Sequence, residues 1–572
     1  MKGQVKPLRL VSLLTLSLAL AAPARAATLD VAWWKDGKLT ALQLRDGGAS
    51  RPGAFDGTRM VPLGSLWKLF VYVYAVDKKL PTPDYRCSGA QPREEVYCCE
   101  AGGSVGRDAA LAQSCGLFFA PARLLVERAP WREYWSARLG RAPAGEADWL
   151  SDPARLAPER LVSLRSLMAA LASVPPASRA EAESALLRVV LGARGANTVG
   201  WFGSRLRGKT FAWHARARPA RRLGGASGWR ADGTPLWVAG EGSSGAILQA
   251  WAARLAAALP AGAAPADAGC VVVDYFARYP IRSVSGSGSG GAAAAPGPLH
   301  GRHVVRFENG RSLPLYSRGE LVLARDGQSP PRLSGRFGVN EYVARVLERE
   351  GGTAEPEAAK ALAVAARSFL QQNAVPTEGC QRIADSSATQ RVGPSPAGAA
   401  ARAVAEWSDQ LVLGGASVRY HASAAAPDTM AWSAAMAQAR QGWRFDQILA
   451  AAYPRAELTT LAGGALPCAR LAGAEAWLAR ELPRWERLLR AEAGYERPPA
   501  PPAVCRLGAG APYSEQSRNR VFVRGLATRE DRITLAHEFL HLGLRNHPRG
   551  QDEQLVEQLA RRLVDARLEA QP

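Results

Sequence analysis

The chain has 572 residues, 47% of them hydrophobic, so it is long enough for about three or four domains and too apolar for a disordered protein. Its 72 basic residues against 51 acidic ones give a formal net charge of +21, which suits contact with anionic polymers of the cell envelope. The basic residues are scattered along the sequence without an aromatic-interleaved groove, so nucleic acid is not predicted as a partner.

The first residues have the pattern of a secretory signal peptide. Lys2, Lys6 and Arg9 precede an apolar run at 10–22, and small residues follow up to Ala26, after which we predict cleavage. No later stretch approaches the roughly 18 uninterrupted apolar residues that a membrane helix needs. We therefore expect a periplasmic or secreted protein without a transmembrane segment. Eight cysteines in an exported chain favour disulfides, although the sequence leaves their connectivity open.

Stretches rich in Ala, Gly, Ser and Pro divide the chain into modules. One of them, SGSGSGGAAAAPG at 285–297, has the composition of a flexible coil. We predict a multidomain α+β protein with a signal peptide at 1–26, an N-terminal module at 28–260, a linker at 261–298, a middle domain at 299–465 and a C-terminal module at 466–572.

The N-terminal module opens with a predicted β-hairpin, in which strands at 29–34 and 39–44 flank a two-residue Asp-Gly turn. Farther on, Ser65 begins a buried helix, and Lys68 follows one turn later on the same face. A desolvated lysine at this spacing can take the proton of the serine, as in serine acyl-enzymes. The same pattern also fits a helix-capping serine followed by a surface lysine.

Two downstream segments accompany this serine and lysine. The Ser-Cys-Gly sequence at 114–116 precedes an apolar run, and the Gly-Lys-Thr sequence at 208–210 leads an alternating segment typical of a strand. Together with the Ser-x-x-Lys motif at 65–68, these segments resemble the penicillin-binding protein and serine β-lactamase superfamily across about residues 28–260. The resemblance implies a β-lactamase-like fold for this module.

The resemblance also implies roles for five side chains. Ser65 would be the nucleophile, Lys68 the general base and Ser114 a proton shuttle, while Lys209 and Thr210 would bind a carboxylate of the substrate.

Two positions depart from the pattern of the superfamily. Gly116 stands where the superfamily has Asn, and Phe211 stands where it has Gly. The glycine-rich segment at 224–228 is an alternative for the third motif. We therefore expect weak or absent acylation of Ser65 by a penicillin, because Phe211 narrows the place of the ligand carboxylate.

The middle domain contains two predicted helices with one acid at their junction. Tyr342, Val343, Val346 and Leu347 recur at helical spacing until two glycines end the helix, and Glu350 lies at this break. A carboxylate at such a junction is free to meet a ligand.

The residues around this junction resemble the stage II sporulation protein D and LytB family over roughly 299–460. The matching segments are the helix that ends at Glu350, the AVAAR sequence at 363–367, and the segments at 385–390, 420–421, 430–442, 448–449 and 453–454. The resemblance implies lytic cleavage of peptidoglycan glycan strands with Glu350 as the catalytic acid. Departures are the alanines at 424–426, where the family has Ser-Gly-Gly, and Thr429, where it has Gly.

The C-terminal module carries an HEFLH sequence at 537–541. On a helix, His537 and His541 lie one turn apart on one face and can chelate a single Zn²⁺, while Glu538 can deprotonate a water molecule. The alternative explanation of the motif is a surface helix with two solvated histidines. The apolar residues around the motif and the strand-like segment before it argue against this alternative.

Two residues are candidates for the third metal ligand. His547 has the spacing found in metzincins, whereas Glu553, on a predicted second helix, has the place found in gluzincins. In the second case Glu557, one turn later, would orient a histidine from outside the metal shell. We prefer Glu553, and His547 remains the alternative.

The order of the modules resembles that of predicted secreted proteins of Gram-negative bacteria, which are associated with bacterial α2-macroglobulins. An α2-macroglobulin-like protein and peptidoglycan, or another anionic envelope polymer, are therefore the expected partners. Two hypotheses follow: an envelope enzyme that remodels peptidoglycan, or a non-catalytic envelope scaffold with degenerate enzyme modules.

Overall fold

A computed structural model describes residues 27–566, apart from 141–147, 193–196, 216–217, 260–268, 288–291, 326, 328, 388, 424–428, 455, 462–467, 469, 493, 508–511, 546, 548–549 and 551. The predicted signal peptide and the alanines at 424–426 lie outside the described residues. Within the described part, no helix has both the length and the apolar character required to cross a membrane.

The N-terminal module is built on a six-stranded antiparallel sheet with the strand order β3-β2-β1-β11-β10-β9. The strands of the module, including short ones outside this sheet, are β1 (Thr28–Lys35), β2 (Lys38–Arg45), β3 (Gly48–Pro52), β4 (Met60–Pro62), β5 (Tyr85–Arg86), β6 (Ser104–Val105), β7 (Leu161–Ser163), β8 (Val189–Val190), β9 (Leu206–Ala215), β10 (Arg218–Arg230) and β11 (Pro235–Glu241). The predicted hairpin is confirmed as β1 and β2. Asp36 and Gly37 form its turn with φ angles of 51° and 74°, as a two-residue hairpin turn requires.

Helices cover both faces of this sheet. They are α1 (Trp67–Asp77), α2 (Pro92–Glu95), α3 (Arg107–Gln113), α4 (Arg128–Leu139), α5 (Leu164–Ala172), α6 (Pro176–Leu187), α7 (Val199–Phe202) and α8 (Ser244–Ala258). Alternate strand residues point to opposite faces. Leu236 and Val238 therefore pack with α8, whereas Trp237 and Ala239 join the core that contains α1 and α5.

The middle domain contains a seven-stranded mixed sheet with the order β13-β14-β15-β16-β12-β18-β17. The strands of the domain, including β19–β22 outside this sheet, are β12 (Val271–Tyr275), β13 (Ile281–Gly286), β14 (Gly297–Phe307), β15 (Ser312–Ala324), β16 (Arg332–Phe337), β17 (Val375–Thr377), β18 (Cys380–Ala384), β19 (Leu411–Gly414), β20 (Arg419–His421), β21 (Thr429–Ala431) and β22 (Glu457–Thr460). Its helices are α9 (Val339–Glu350), α10 (Pro356–Asn373), α11 (Ala399–Trp407), α12 (Trp432–Arg440) and α13 (Phe445–Ala452).

This sheet begins earlier in the chain than the sequence predicted. Strands β12 and β13 lie within the predicted linker at 261–298. Strand β12 runs between β16 and β18, where its alternate valines are buried in the core of the middle domain. The linker prediction rested on Ala, Gly and Pro content and overlooked the short apolar run that forms this central strand.

The N-terminal module and the middle domain share a small sheet, because β8 pairs with β22. Arg188 next to β8 forms an ion pair of 2.5 Å with Glu457 of β22. Beside it, the hydroxyls of Ser184 and Thr460 are 2.8 Å apart.

The C-terminal module packs three helices against a three-stranded sheet with the order β23-β25-β24. Its elements are β23 (Ala503–Arg506), β24 (Tyr513–Glu515), β25 (Arg520–Val523), α14 (Ala472–Leu489), α15 (Arg529–Gly543) and α16 (Glu553–Asp565). Helix α15 begins at a capping box, in which Thr528 and Asp531 each bind the backbone N–H of the other.

All eight cysteines form disulfides, as the sequence predicted for an exported chain. The pairs are Cys87–Cys99, Cys98–Cys115, Cys270–Cys380 and Cys468–Cys505. Each pair lies within one module, so the disulfides stabilise the modules individually.

Candidate functional site

The structure brings three possible metal ligands together between α15 and α16. One ligand atom each from His537, His541 and Glu553 lies within 4.8 Å of the others, and this is the one such group in the described part of the chain. The two imidazoles lie next to each other because they are four positions apart on α15, with 3.2 Å between their Nε2 atoms. Glu553 is the first residue of α16, which Asp552 caps through the backbone N–H of Leu555.

The carboxylate of Glu553 closes this group. Its Oε2 is 3.1 Å from His537 Nε2, and its Oε1 is 3.4 Å from His541 Nε2. Burial raises the pKa of Glu553, but hydrogen bonds from the two imidazoles outweigh burial and hold this pKa well below its usual range. Burial lowers the pKa of His537, and its hydrogen bond to Glu553 raises it above its ordinary value.

Further contacts orient each of the three side chains. His537 Nδ1 is 3.1 Å from Glu557 Oε2, and His541 Nδ1 is 3.1 Å from the carbonyl oxygen of Gly550. Glu553 accepts a hydrogen bond from Arg419, which belongs to β20 of the middle domain. The nitrogen and oxygen atoms that remain between the helices are the ligand types that Zn²⁺ prefers.

The structure separates the two candidates for the third ligand. Glu553 belongs to the group, and His547 does not. His547 instead packs on Gly494, where a Cβ atom would lie 3.2 Å from the ring Cδ2 of His547. Glu538 is 7% exposed, and burial raises the pKa of its carboxyl group.

In the N-terminal module, Lys68 bridges two serines. Its Nζ donates hydrogen bonds to Ser65 Oγ at 3.2 Å and to Ser114 Oγ at 3.1 Å. Ser65 lies in a 3-10 turn before α1, and Ser114 ends α3 with a left-handed φ of 69°. Burial lowers the pKa of Lys68 from 10.5 to about 8, so a substantial fraction of this amine is neutral near pH 8.

Strand β9 forms one wall of the cleft at Ser65. The cleft has a volume of about 510 Å³, and its lining includes Ser65, Lys68, Ser114, Thr210 and Phe211. Lys209, also on β9, is buried, and its Nζ donates a hydrogen bond to the carbonyl oxygen of Thr210 at 3.2 Å. Burial, and then the nearby Lys68, hold the pKa of Lys209 well below its usual range.

Of the two departures from the superfamily pattern, Phe211 lines this cleft and Gly116 lies beside Lys68. A Cβ atom on Gly116 would lie 3.5 Å from Lys68 Cε, so the missing asparagine side chain leaves space beside the lysine. Phe211 lines the opposite wall and stacks on Trp237. The alternative glycine-rich segment at 224–228 lies one strand away, on β10.

In the middle domain, Glu350 is the last residue of α9. Its Oε1 accepts a hydrogen bond of 2.7 Å from the backbone N–H of Arg391. Glu348 instead accepts a hydrogen bond of 2.5 Å from the backbone N–H of Gly398, so the two acids point to different segments. Asp385 accepts from the next backbone N–H after Arg391, that of Val392, at 2.9 Å.

Asp385 is a second carboxyl group in the surroundings of Glu350. Burial raises the pKa of Asp385, and the nearby negative charge of Glu350 adds to this effect. The sequence placed Asp385 only in a segment that resembles the sporulation protein D family, and it did not predict that Asp385 lies near Glu350. It also did not predict Arg419, which lies 134 positions before Glu553 in the chain.

Several solved structures share a partial likeness with this chain. One is the C-terminal domain of the BlaR penicillin receptor of Bacillus licheniformis, with 13% identity and a TM-score of 0.27 over 40% of this chain and 88% of that one. Another is a β-lactamase from Burkholderia phymatum, with 14% identity and a TM-score of 0.25 over 41% of this chain and 93% of that one. These partial likenesses cover about 40% of the chain. The helices and sheets of its modules make the protein multidomain α+β.

Sequence comparison relates most of the chain to one family. The family described as "Predicted secreted protein (DUF2300)" matches residues 90–220 and 428–549. The uncharacterized protein YfaQ of Escherichia coli (strain K12) is 44% identical over 522 residues, which are 91% of this chain and 93% of YfaQ. The four disulfides fit an extracytoplasmic location. The chain therefore belongs to the family of predicted secreted proteins (DUF2300) and has YfaQ as a relative.

Proposed function

We propose that this secreted protein remodels peptidoglycan and that its C-terminal module hydrolyses peptide or amide bonds at a Zn²⁺ site. The observation that carries this proposal is the convergence of His537, His541 and Glu553, whose ligand atoms lie within 4.8 Å of one another. Three protein ligands leave one position of a tetrahedral ion for water, which is the arrangement of catalytic zinc sites.

The protein residues have separate roles in this reaction. His537, His541 and Glu553 hold the ion, which would activate a water molecule and polarise the scissile carbonyl group. Glu538 follows His537 on α15, and its carboxyl group interacts electrostatically with both imidazoles. From this position it takes the proton of the attacking water and passes it to the leaving amine. Glu557 fixes the ring of His537 through Nδ1.

Peptidoglycan as the substrate is supported by the other two modules. The middle domain resembles a family of lytic enzymes that act on glycan strands, and Glu350 occupies the place of their acid. One carboxyl group suffices for lytic cleavage, because it can protonate the glycosidic oxygen and then accept the proton of the sugar hydroxyl that closes the ring. The sequence motifs of the N-terminal module resemble those of the penicillin-binding protein and serine β-lactamase superfamily.

The first test is the metal content of the purified protein. We expect one zinc per chain in the wild type, none in His537→Ala, and full zinc content without hydrolysis in Glu538→Gln. Incubation with intact sacculi and mass analysis of the released fragments then identifies the bond. Free peptides support zinc-dependent hydrolysis, anhydro-muropeptides support lytic cleavage, and no release supports the scaffold hypothesis.

Acyl transfer at Ser65 is a second candidate activity, favoured by the contacts of Lys68 with Ser65 and Ser114. These contacts are those of a base that removes the serine proton and relays it to a leaving group. The non-catalytic alternative is favoured in this module by the space at Gly116 and by the aromatic ring of Phe211 in the cleft. Covalent labelling by a fluorescent penicillin distinguishes the two.

A further inference from the structure

The proposed metal site receives one contact from outside the C-terminal module. Arg419 of the middle domain donates a hydrogen bond from Nη2 to Glu553 Oε1 and forms an ion pair with it. The other oxygen of Glu553 faces His537 at 3.1 Å. Oε1 also lies 3.4 Å from His541 Nε2. The carboxylate therefore lies between the guanidinium group and the imidazoles, with Oε1 next to both Arg419 and His541 and Oε2 next to His537.

The contacts of His537 and His541 indicate the role of the contact between Arg419 and Glu553. Each imidazole is oriented by a partner of its Nδ1, which is Glu557 for His537 and the carbonyl group of Gly550 for His541. Both partners belong to the same module as the ligands. For Glu553 this orienting contact comes from Arg419. Partners of this kind fix the direction of a ligand, and their loss typically weakens metal affinity about 10- to 100-fold.

The arginine is held firmly in its own domain. Its strand β20 pairs with β21, and its carbonyl oxygen accepts a hydrogen bond of 2.6 Å from the buried hydroxyl of Tyr453. The next residue, Tyr420, accepts a hydrogen bond of 2.7 Å from the buried Gln390. The backbone that carries Arg419 is thus held by contacts within the middle domain, independently of Glu553.

From these contacts we infer that Arg419 is a positioning residue of the metal site, supplied by the middle domain. This inference rests on the proposed function, because it requires that His537, His541 and Glu553 bind a metal. It adds that full metal affinity requires the middle domain to be docked on the C-terminal module. Glu553 is half exposed at the start of α16, so without Arg419 its side chain would have to be ordered by the metal itself.

A guanidinium group near a divalent ion also repels it, and this effect opposes the positioning role. Orientation acts on the ligand directly through a hydrogen bond, whereas the repulsion is partly screened because Arg419 and Glu553 are 35% and 42% exposed. We therefore expect that replacing Arg419 weakens metal affinity, because the loss of orientation of Glu553 has a larger effect on affinity than the relief of the repulsion.

The test is zinc affinity of the full-length mature protein, measured at neutral pH by competition with a chromophoric chelator. We expect Arg419→Met to weaken affinity about 10- to 100-fold and Arg419→Lys to weaken it less. The control is Arg440→Met, which removes an exposed arginine of the same domain that pairs with Glu355 at 2.9 Å, and it should leave affinity unchanged. Melting of the metal-free proteins checks that the variants fold.

A double-mutant cycle separates positioning from a general structural effect. If Arg419 acts through Glu553, Arg419→Met should cost nothing further in a Glu553→Ala background, where residual affinity is already low. Unchanged or tighter zinc binding by Arg419→Met in the wild-type background overturns the inference, as does an undiminished loss in the Glu553→Ala background. Absence of zinc binding by the wild type overturns the proposed function and this inference together, whereas the preceding outcomes overturn the inference alone.

Discussion

Lys68 gives the N-terminal module a pH-dependent stability whose size follows from its burial. Its pKa falls from 10.5 to about 8 on folding, because burial disfavours the charged amine. A tenfold change in proton affinity is worth about 1.4 kcal/mol, so charged Lys68 destabilises the folded state by about 3 kcal/mol. Below pH 8 the amine is protonated in both states and this cost is fully present. It disappears as the pH rises towards 10.5, because the unfolded chain then also loses the proton.

Replacement of Lys68 by Met removes this cost and the two hydrogen bonds to Ser65 and Ser114. Those bonds contribute about 1 kcal/mol each, so Lys68→Met should stabilise the protein by about 1 kcal/mol at pH 7 and destabilise it by about 2 kcal/mol near pH 10.5. The serines line a cleft and can bind water instead. The reversal of sign with pH is the distinctive result.

The assay is denaturant unfolding of the wild type and the variant at pH values from 7 to 10.5, followed by tryptophan fluorescence. The matched control is Lys78→Met, an exposed lysine at the C-terminal end of α1, whose effect should not vary with pH in this way. A difference between Lys68→Met and wild type that stays constant within about 0.5 kcal/mol across this range would refute the reasoning, because it would show an ordinary pKa for Lys68.

Three further predictions concern the candidate sites. Glu350→Gln should abolish release of anhydro-muropeptides from sacculi whereas Glu348→Gln should not, because the two acids bind different segments; the reverse result would mean that the acid was misassigned. Ser65→Ala should abolish any covalent labelling by a fluorescent penicillin, and labelling equal to that of the wild type would exclude Ser65 as the nucleophile. In zinc titrations, Glu553→Ala should bind the metal far more weakly than the wild type and His547→Ala should bind it equally well, since Glu553 and not His547 lies in the group of possible ligands; weakened binding in the second variant alone would reverse the assignment.

The local features of this protein could be predicted from its sequence. The hairpin at Asp36 and Gly37 depends on turn residues that adopt positive φ angles, and the structure shows both. The meeting of His537 with His541 depends only on the helical repeat of their own segment. In each case the interacting residues are a few positions apart, so backbone geometry alone decides their proximity.

Contacts between distant segments were decided by the tertiary structure. Strand β12 is too short to stand out from the surrounding linker composition, and only its place between β16 and β18 makes it a central strand. The sequence favoured Glu553 over His547, but the proximity of Glu553 to the two histidines depends on how α16 packs against α15. Arg419 reaches Glu553 across 134 positions of chain, and no local pattern marks this arginine among the 72 basic residues. Its role follows from the docking of two domains, which is a property of their surfaces and not of any one segment.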